Sequence, residues 1–242
     1  MEYPQIKKLY KYYAYNEHSL KVLSNRQIWL ADPRSFNDPF DCALNIKRTL
    51  SDDDCLRIFE ENVREALSSP DLDNTGRLEC KKLLERIKKD KSFRDETVRA
   101  FRIRIEVPIA TVEMLGAFCM SELPDNLLMW AHYTRSHTGF CIEFSREPDN
   151  LLGSFGHTRP VSYTYYYPDI SDIDLLAPRD HEASDPIRPV TSAMYWTKSA
   201  DWAYEKEWRL VTAGLKSLLD LPGEISGVIF GINMPQEHRD KI

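Results

Sequence analysis

No run in this 242-residue sequence approaches the roughly 20 apolar residues that carry a helix across a bilayer. The opening residues, M-E-Y-P-Q-I-K-K, hold no apolar core of the kind a secretory leader needs. The expectation is a cytoplasmic protein with no membrane partner. No C-x-x-C pair occurs. The five cysteines, Cys42, Cys55, Cys80, Cys119 and Cys141, are widely spaced and odd in number, which argues against a zinc site or a redox pair. His132 and His137 lie five apart, off the same-face spacing of a helical ligand pair, so no metal is expected. No G-x-S-x-G elbow is present for a serine nucleophile. A formal net charge of −6 gives no overall field that gathers nucleic acid. Internal repeats and low-complexity tracts are absent too.

What is present is concentrated near the C-terminal end. Residues 195–211, Y-W-T-K-S-A-D-W-A-Y-E-K-E-W-R-L-V, set Trp196, Trp202 and Trp208 around Glu205 and Glu207. The tail W-R-L-V reads as a strand, and strand side chains two apart share a face. Glu205 and Glu207 are then expected to project together between the walls of Trp202 and Trp208. Carboxylates in such a setting repel each other and lose water, which suits an active-site edge. The simplest account of this stretch alone is a solvated strand face with Arg209 as a neighbouring charge.

Taken in order, 9–15 and 27–31 read as strands by aromatic content, and 17–25 as a short helix capped by Asn16. Tyr10 and Tyr12 share one face of the first strand. D-P-R-S-F-N-D-P-F-D at 32–41 is turn-rich, yet carries Phe36 and Phe40. A ledge pinned by two Phe anchors would aim Asn37, Asp38 and Asp41 into a pocket, although Asp38 and Asp41 also suit plain turn-making. From 50 to 107 charges rise and aromatics thin out, and three helices are expected, at about 52–67, 76–91 and 93–107. Their lysine runs are interleaved with acids and read as a solvated face. Strands are expected at 114–121, 139–144, 160–167 and 227–231, a helix after Asp125, and a long loop or lid over 167–189. A helix starts at about 234, and its early end suggests truncation.

The segments L-Y-K-Y, S-F-N-D-P-F-D, F-C-M-S-E, L-L-M-W-A-H-Y, H-T-G-F-C-I-E-F and W-A-Y-E-K-E-W-R occur in that order. With them the chain resembles a bacterial family catalogued only as a domain of unknown function. It is similar, more weakly, to the ADP-ribosyltransferase superfamily: a polar residue on the first strand, a Ser on a middle strand and E-x-E at a late strand. That resemblance implies an α+β fold, a single domain over 1–242 with an ADP-ribosyltransferase-like split β-sheet core and 50–107 as an inserted helical lobe. It implies NAD as substrate, with Glu207 catalytic and Glu205 assisting. Lys11 matches the residue that holds the ribose, although Arg or His is usual there. Ser121 matches the middle-strand residue, and Tyr133 matches the aromatic that stacks on nicotinamide. Tyr12, Asn37, Asp38, Trp130, His132 and Trp202 complete the cofactor-binding candidates, Trp130 and His132 beside a simpler reading as core residues.

The function so implied is NAD-consuming ADP-ribosyl transfer, a glycosyltransferase chemistry, or NAD glycohydrolysis, in a bacterial toxin or defence role. NAD or a related nucleotide and an unidentified macromolecular acceptor are the expected partners, with nucleic acid open as that acceptor though the sequence carries no basic signature for it. Two alternatives stand beside it. One is a non-catalytic nucleotide- or protein-binding module on the same fold. The other is a metal-dependent nuclease using Asp38, Asp41, Glu205 and Glu207.

Overall fold

Sequence-local rules set the first turn of the chain. Asn16 caps a helix through its side chain and Ser19 returns the bond to the cap, so β1 (Lys8–Tyr13) gives way at once to α1 (Glu17–Asn25). Arg26 closes that helix in a left-handed conformation and turns the chain into β2 (Gln27–Leu30). The structure is a computed structural model and describes residues 1–38, 41–42, 45–166, 168–172 and 188–242. Two compact units divide it: Met1–Leu44, Glu113–Pro168 and Thr191–Ile242 form one, and Asn45–Val112 with Asp169–Val190 the other.

The second unit is mainly helical. It holds β3 (Asn45–Lys47), α2 (Asp52–Ser68), α3 (Asn74–Lys89) and α4 (Lys91–Val112). Ser51 and Asp54 form a reciprocal cap on α2, and Asp73 caps α3. The helices extend up to five residues beyond the expected 107, because Phe101, Ile105 and Val112 continue the buried stripe of α4. The unit also takes in β8 (Asp169–Ser171), paired in parallel with β3. The following Asp172 accepts bonds from the Thr49 and Leu50 amides at 3.0 Å. The rest of the loop expected over 167–189 lies mostly outside the described residues.

The first unit is built on a six-stranded antiparallel sheet. Its strands are β4 (Leu115–Ser121), β5 (Phe140–Ser145), β6 (Thr158–Pro160), β10 (Glu207–Ala213), β12 (Ile225–Phe230) and β1, in the order β12-β5-β1-β4-β10-β6. The expected strand at 160–167 is two, because β7 (Ser162–Thr164) leaves the sheet to pair with β9 (Thr197–Ser199). A strand not foreseen, β11 (Ser217–Asp220), pairs with β2 in a two-stranded ribbon. α5 (Leu127–Tyr133) is capped by Asn126, one residue after the expected Asp125. Among the described residues, α6 (Arg188–Tyr195) and the four-residue α7 (Gln236–Arg239) complete the α-helices. The chain is thus mixed α and β around a large antiparallel sheet.

Pairing in this sheet is uneven. β1 matches β5 from Lys8 through Tyr13, and β4 matches β10 along its whole length. Between β1 and β4 a single register pair holds, Tyr10 with Ser121. The sheet therefore opens beyond that pair. One face carries the core, with Leu9, Phe118, Met120, Phe144, Trp208 and Leu210 closely packed. Tyr12 of β1 and Cys141 of β5 form a second cluster with Met129 and Trp130 of α5.

Arg146 closes the core end of β5. Its guanidinium is fully buried and donates to the carbonyls of Glu2, Tyr3, Ile6 and Leu152, with its carbon 4.8 Å from the Trp208 ring. A buried carbonyl left without a donor costs about 1–3 kcal/mol. Arg146→Met keeps the stem and strands several carbonyls. It should lower stability by about 3 kcal/mol or more, measured by urea unfolding.

Candidate functional site: a charged cavity at the opened sheet

Alternation along β10 separates two roles. Trp208 and Leu210 enter the core, while Glu207 and Arg209 face the other way, opposite Ser121 and Cys119 of β4. Arg209 has no exposed surface, so all of its donors must be met inside the protein. Its Nη2 donates to Asp41 Oδ2 at 2.6 Å and its Nε to Glu207 Oε1 at 2.6 Å. Its Nη1 reaches Asp41 Oδ1 and the Tyr195 carbonyl at 2.8 and 2.9 Å. Lys198, brought in by β9, is the second cation. Its Nζ donates to Glu205 Oε2 at 2.6 Å and Glu207 Oε2 at 2.8 Å, and stands 3.8 Å from Asp41.

Glu205 joins this group by a route different from the one expected. It ends a 3-10 helix, Ala200–Glu205, and does not lie on the strand. Lys206 then takes a left-handed conformation at φ 46°, and the strand begins at Glu207. The two carboxylates converge because the turn folds one back beside the other. Glu205 Oε1 also accepts the Tyr133 hydroxyl at 2.7 Å. Tyr163 accepts the Glu207 amide at 2.7 Å.

Ionisation follows from these contacts. Burial alone would raise the Glu207 carboxyl, but the charges of Arg209 and Lys198 and the bonds from Arg209 hold it well below its ordinary value. Burial would lower Lys198, yet Glu207 and Glu205 hold its ammonium above the usual range. Desolvation and the Glu205 charge push the Tyr133 phenol up, and burial raises Tyr163 to about 12. By residue type, three acids, Asp41, Glu205 and Glu207, meet two bases, Lys198 and Arg209.

The cluster lies at a cavity of about 630 Å³ whose walls come from β1, β4, α1 and the β2–β11 ribbon. Glu205, Glu207, Lys198, Asp41 and Tyr133 line it. Lys11 and Tyr12 line it as well, the latter with its hydroxyl donated to the Leu123 carbonyl at 2.7 Å. Lys11 is half-buried, with Nζ 5.1 Å from the Phe118 ring, and among the described residues it has no hydrogen-bond or ion-pair partner. Asn37 lines the cavity beside Phe36, a half-buried ring 5.4 Å from the Arg209 guanidinium carbon. Phe40 lies outside the described residues. The acid that this loop directs into the cluster is Asp41; Asp38 is buried and does not line the cavity.

Other expected residues lie apart. Ser121 is buried behind the wall, donating to the Glu205 carbonyl at 2.6 Å and accepting the Leu123 amide, so it positions Glu205. Trp130 is a core residue, edge-on to Tyr12 and bonded to the Pro124 carbonyl. His132 is exposed and away from the cavity, because its position on α5 faces out from the packed side. Trp202 does not line the cavity but stands 5.2 Å from Lys198 Nζ. Trp208 is not a wall at all: strand alternation turns it into the core. Lys198 was missed, although a lysine in the aromatic run Y-W-T-K-S was a signal of a buried cation. Among the described residues no group of three or more His, Cys, Asp or Glu is arranged to hold a metal. The acids expected for a nuclease meet the ammonium of Lys198 instead, and Asp38 is not with them.

These features define a mixed α and β protein with a charged cavity at an opened antiparallel sheet. Residues 129–210 match the family described as a protein of unknown function (DUF2971), which meets the expected resemblance to a family without an assigned activity. The matched segment holds Tyr133, Lys198, Glu205, Glu207 and Arg209, and leaves out Lys11 and Asp41. No curated protein and no solved structure matches the chain.

The cluster has a signed pH dependence. Glu207 has a folded pKa below its ordinary 4.5, so its stabilisation is present above about that pH and is lost as pH falls through the folded value. Lys198 has a folded pKa above 10.5, so its stabilisation is present below that pH and is lost as pH rises through the folded value. Glu207→Gln should cost about 3 kcal/mol at neutral pH, as expected when one member of a buried ion pair is removed. Its urea midpoint should also fall less steeply than that of the wild type below about pH 4.5.

Proposed function

We propose that the cavity binds NAD and that the protein consumes it, passing ADP-ribose to an acceptor or to water. The observation that carries this reading is the single pairing between β1 and β4, Tyr10 with Ser121, beside which a cavity opens with Glu207 on its wall. A sheet split at this place, with an acid at the start of the strand beyond, is what the ADP-ribosyltransferase likeness implies. The cavity volume is in the range of small-molecule sites, roughly 300–1,000 Å³.

In the reaction the bond between nicotinamide and the ribose anomeric carbon breaks, and its electron pair leaves with nicotinamide. Positive charge grows on the ribose. Glu207, held ionised by Arg209 and Lys198, is the group suited to face it, and its action is electrostatic rather than proton-donating. The acceptor forms the new bond at the anomeric carbon and gives its proton to Glu205. Lys11, without an ionic partner among the described residues, donates from its ammonium to the ribose of NAD, the role its position implies. Tyr12 and Tyr133 offer aromatic surface for the nicotinamide ring.

A second reading is favoured by one observation. Lys198 and Arg209 already engage both carboxylates, which damps any charge they present to ribose. That arrangement suits a nucleotide-binding module without turnover. Nicotinamide release by wild type, Glu207→Gln and Glu205→Gln, beside calorimetric titration with NAD, separates the two. Catalysis predicts a fall of about 100-fold or more in Glu207→Gln with binding retained, the scale seen when one electrostatic stabiliser is removed. Glu205→Gln should reduce transfer more than hydrolysis. Equal turnover in wild type and Glu207→Gln would sink the catalytic role, and NAD binding without nicotinamide release would leave the binding module.

A further inference from the structure

The β2–β11 ribbon reverses the usual order of its outer face. Ile28, Leu30 and Leu219 turn inward, so the outward positions should be polar. Instead Trp29 and Leu218 stand directly opposite each other, 52% and 60% exposed, and both line the cavity. An exposed Trp backed by an apolar cross-strand neighbour offers a flat face to a planar group.

The polar groups beside this platform have definite hydrogen-bonding character. Gln27 gives one amide hydrogen to Asp220 Oδ1 at 3.1 Å, and its carbonyl oxygen remains as an acceptor. Asn25 receives the Ser24 hydroxyl on its carbonyl at 3.0 Å, and its amide hydrogens remain as donors. Both residues line the same cavity, as does Lys21. The partners thus comprise a stacking face, one acceptor, one donor and a cation. A purine ring with an exocyclic amine, ring nitrogens and an attached phosphate satisfies all four.

We propose that Trp29 and Leu218 form a subsite for the adenine of a nucleotide, with Gln27 and Asn25 reading the base edge and Lys21 receiving phosphate. The proposal rests on the reading of this cavity as a nucleotide site and adds where the second half of a dinucleotide goes. The Glu207 end takes the reacting ribose, and the ribbon takes the base that does not react. Binding energy gathered at such a remote base is then available to hold the ribose in place at the acids.

The test is calorimetric titration of the full chain with adenosine 5′-monophosphate and, separately, with nicotinamide mononucleotide. Wild type, Trp29→Ala and Trp29→Phe are compared. Loss of stacking on one base weakens affinity by about tenfold or more. The expected result is that loss for adenosine monophosphate in Trp29→Ala, recovery in Trp29→Phe, and unchanged affinity for nicotinamide mononucleotide in both. Adenosine monophosphate that fails to bind wild type, or binds Trp29→Ala equally well, overturns the subsite. Trp29-dependent binding in a protein that releases no nicotinamide keeps the subsite and removes the catalytic reading. Nicotinamide release without any dependence of binding on Trp29 does the reverse.

Discussion

A guanidinium with no exposed surface sits on the central region of a β-strand, and much of the cavity follows from satisfying it. Arg209 cannot give up its charge, so its five donors need acceptors within the fold. Asp41 arrives from the loop after β2, Glu207 from two residues earlier on β10, and the Tyr195 carbonyl from the end of α6. Together they fix three otherwise independent segments of the first unit. Lys198 then balances the excess acid and ties Glu205 to Glu207. Removing one partner leaves an uncompensated buried charge, a far greater penalty than the modest net stabilisation of the intact pair.

The same cluster decides what chemistry the carboxylates can perform. An acid kept ionised by two cations is a poor proton donor and a fixed source of negative potential. Glu205 differs from it in touching Tyr133 as well as Lys198, and so sits between the ionic cluster and an aromatic side chain of the cavity wall. Two acids separated by one residue thereby acquire different surroundings. Roles that diverge by environment, more than by residue type, are the usual way one site holds unlike acids.

Much of the local structure was legible in the sequence. Asn16 and Ser51 announced their helices through capping chemistry, and the apolar runs at 115–121 and 140–144 announced buried strands. The proximity of Glu205 and Glu207 was legible, but its cause was not, because a left-handed Lys206 leaves no reliable trace in residue type. Trp208 misled for a related reason: nearness in sequence suggested a shared wall, while strand alternation placed it on the opposite face. β11 escaped notice because S-L-L-D is short and has no pattern apart from its partner β2. Asp41 was legible as an acid aimed from a Phe-anchored loop, whereas the partners of Lys198 and the stacking neighbour of Trp29 come only from long-range pairing, which a single sequence does not encode.

The strand order β12-β5-β1-β4-β10-β6 places no two consecutive strands side by side. Lys8 finds its partner at Ser145, and Ser121 finds its partner at Glu207. None of the rungs of this sheet can therefore arise from a local hairpin. Loop-closure entropy must be met before any of them rewards the chain, which puts such a topology among folds that mature in milliseconds to seconds. During that interval β1, a central strand in the finished sheet, has both edges unsatisfied. The chain is then exposed to mispairing with its neighbours, and a helper that shields the aromatic strand L-Y-K-Y-Y would act on the assembly rate and leave the final stability unchanged.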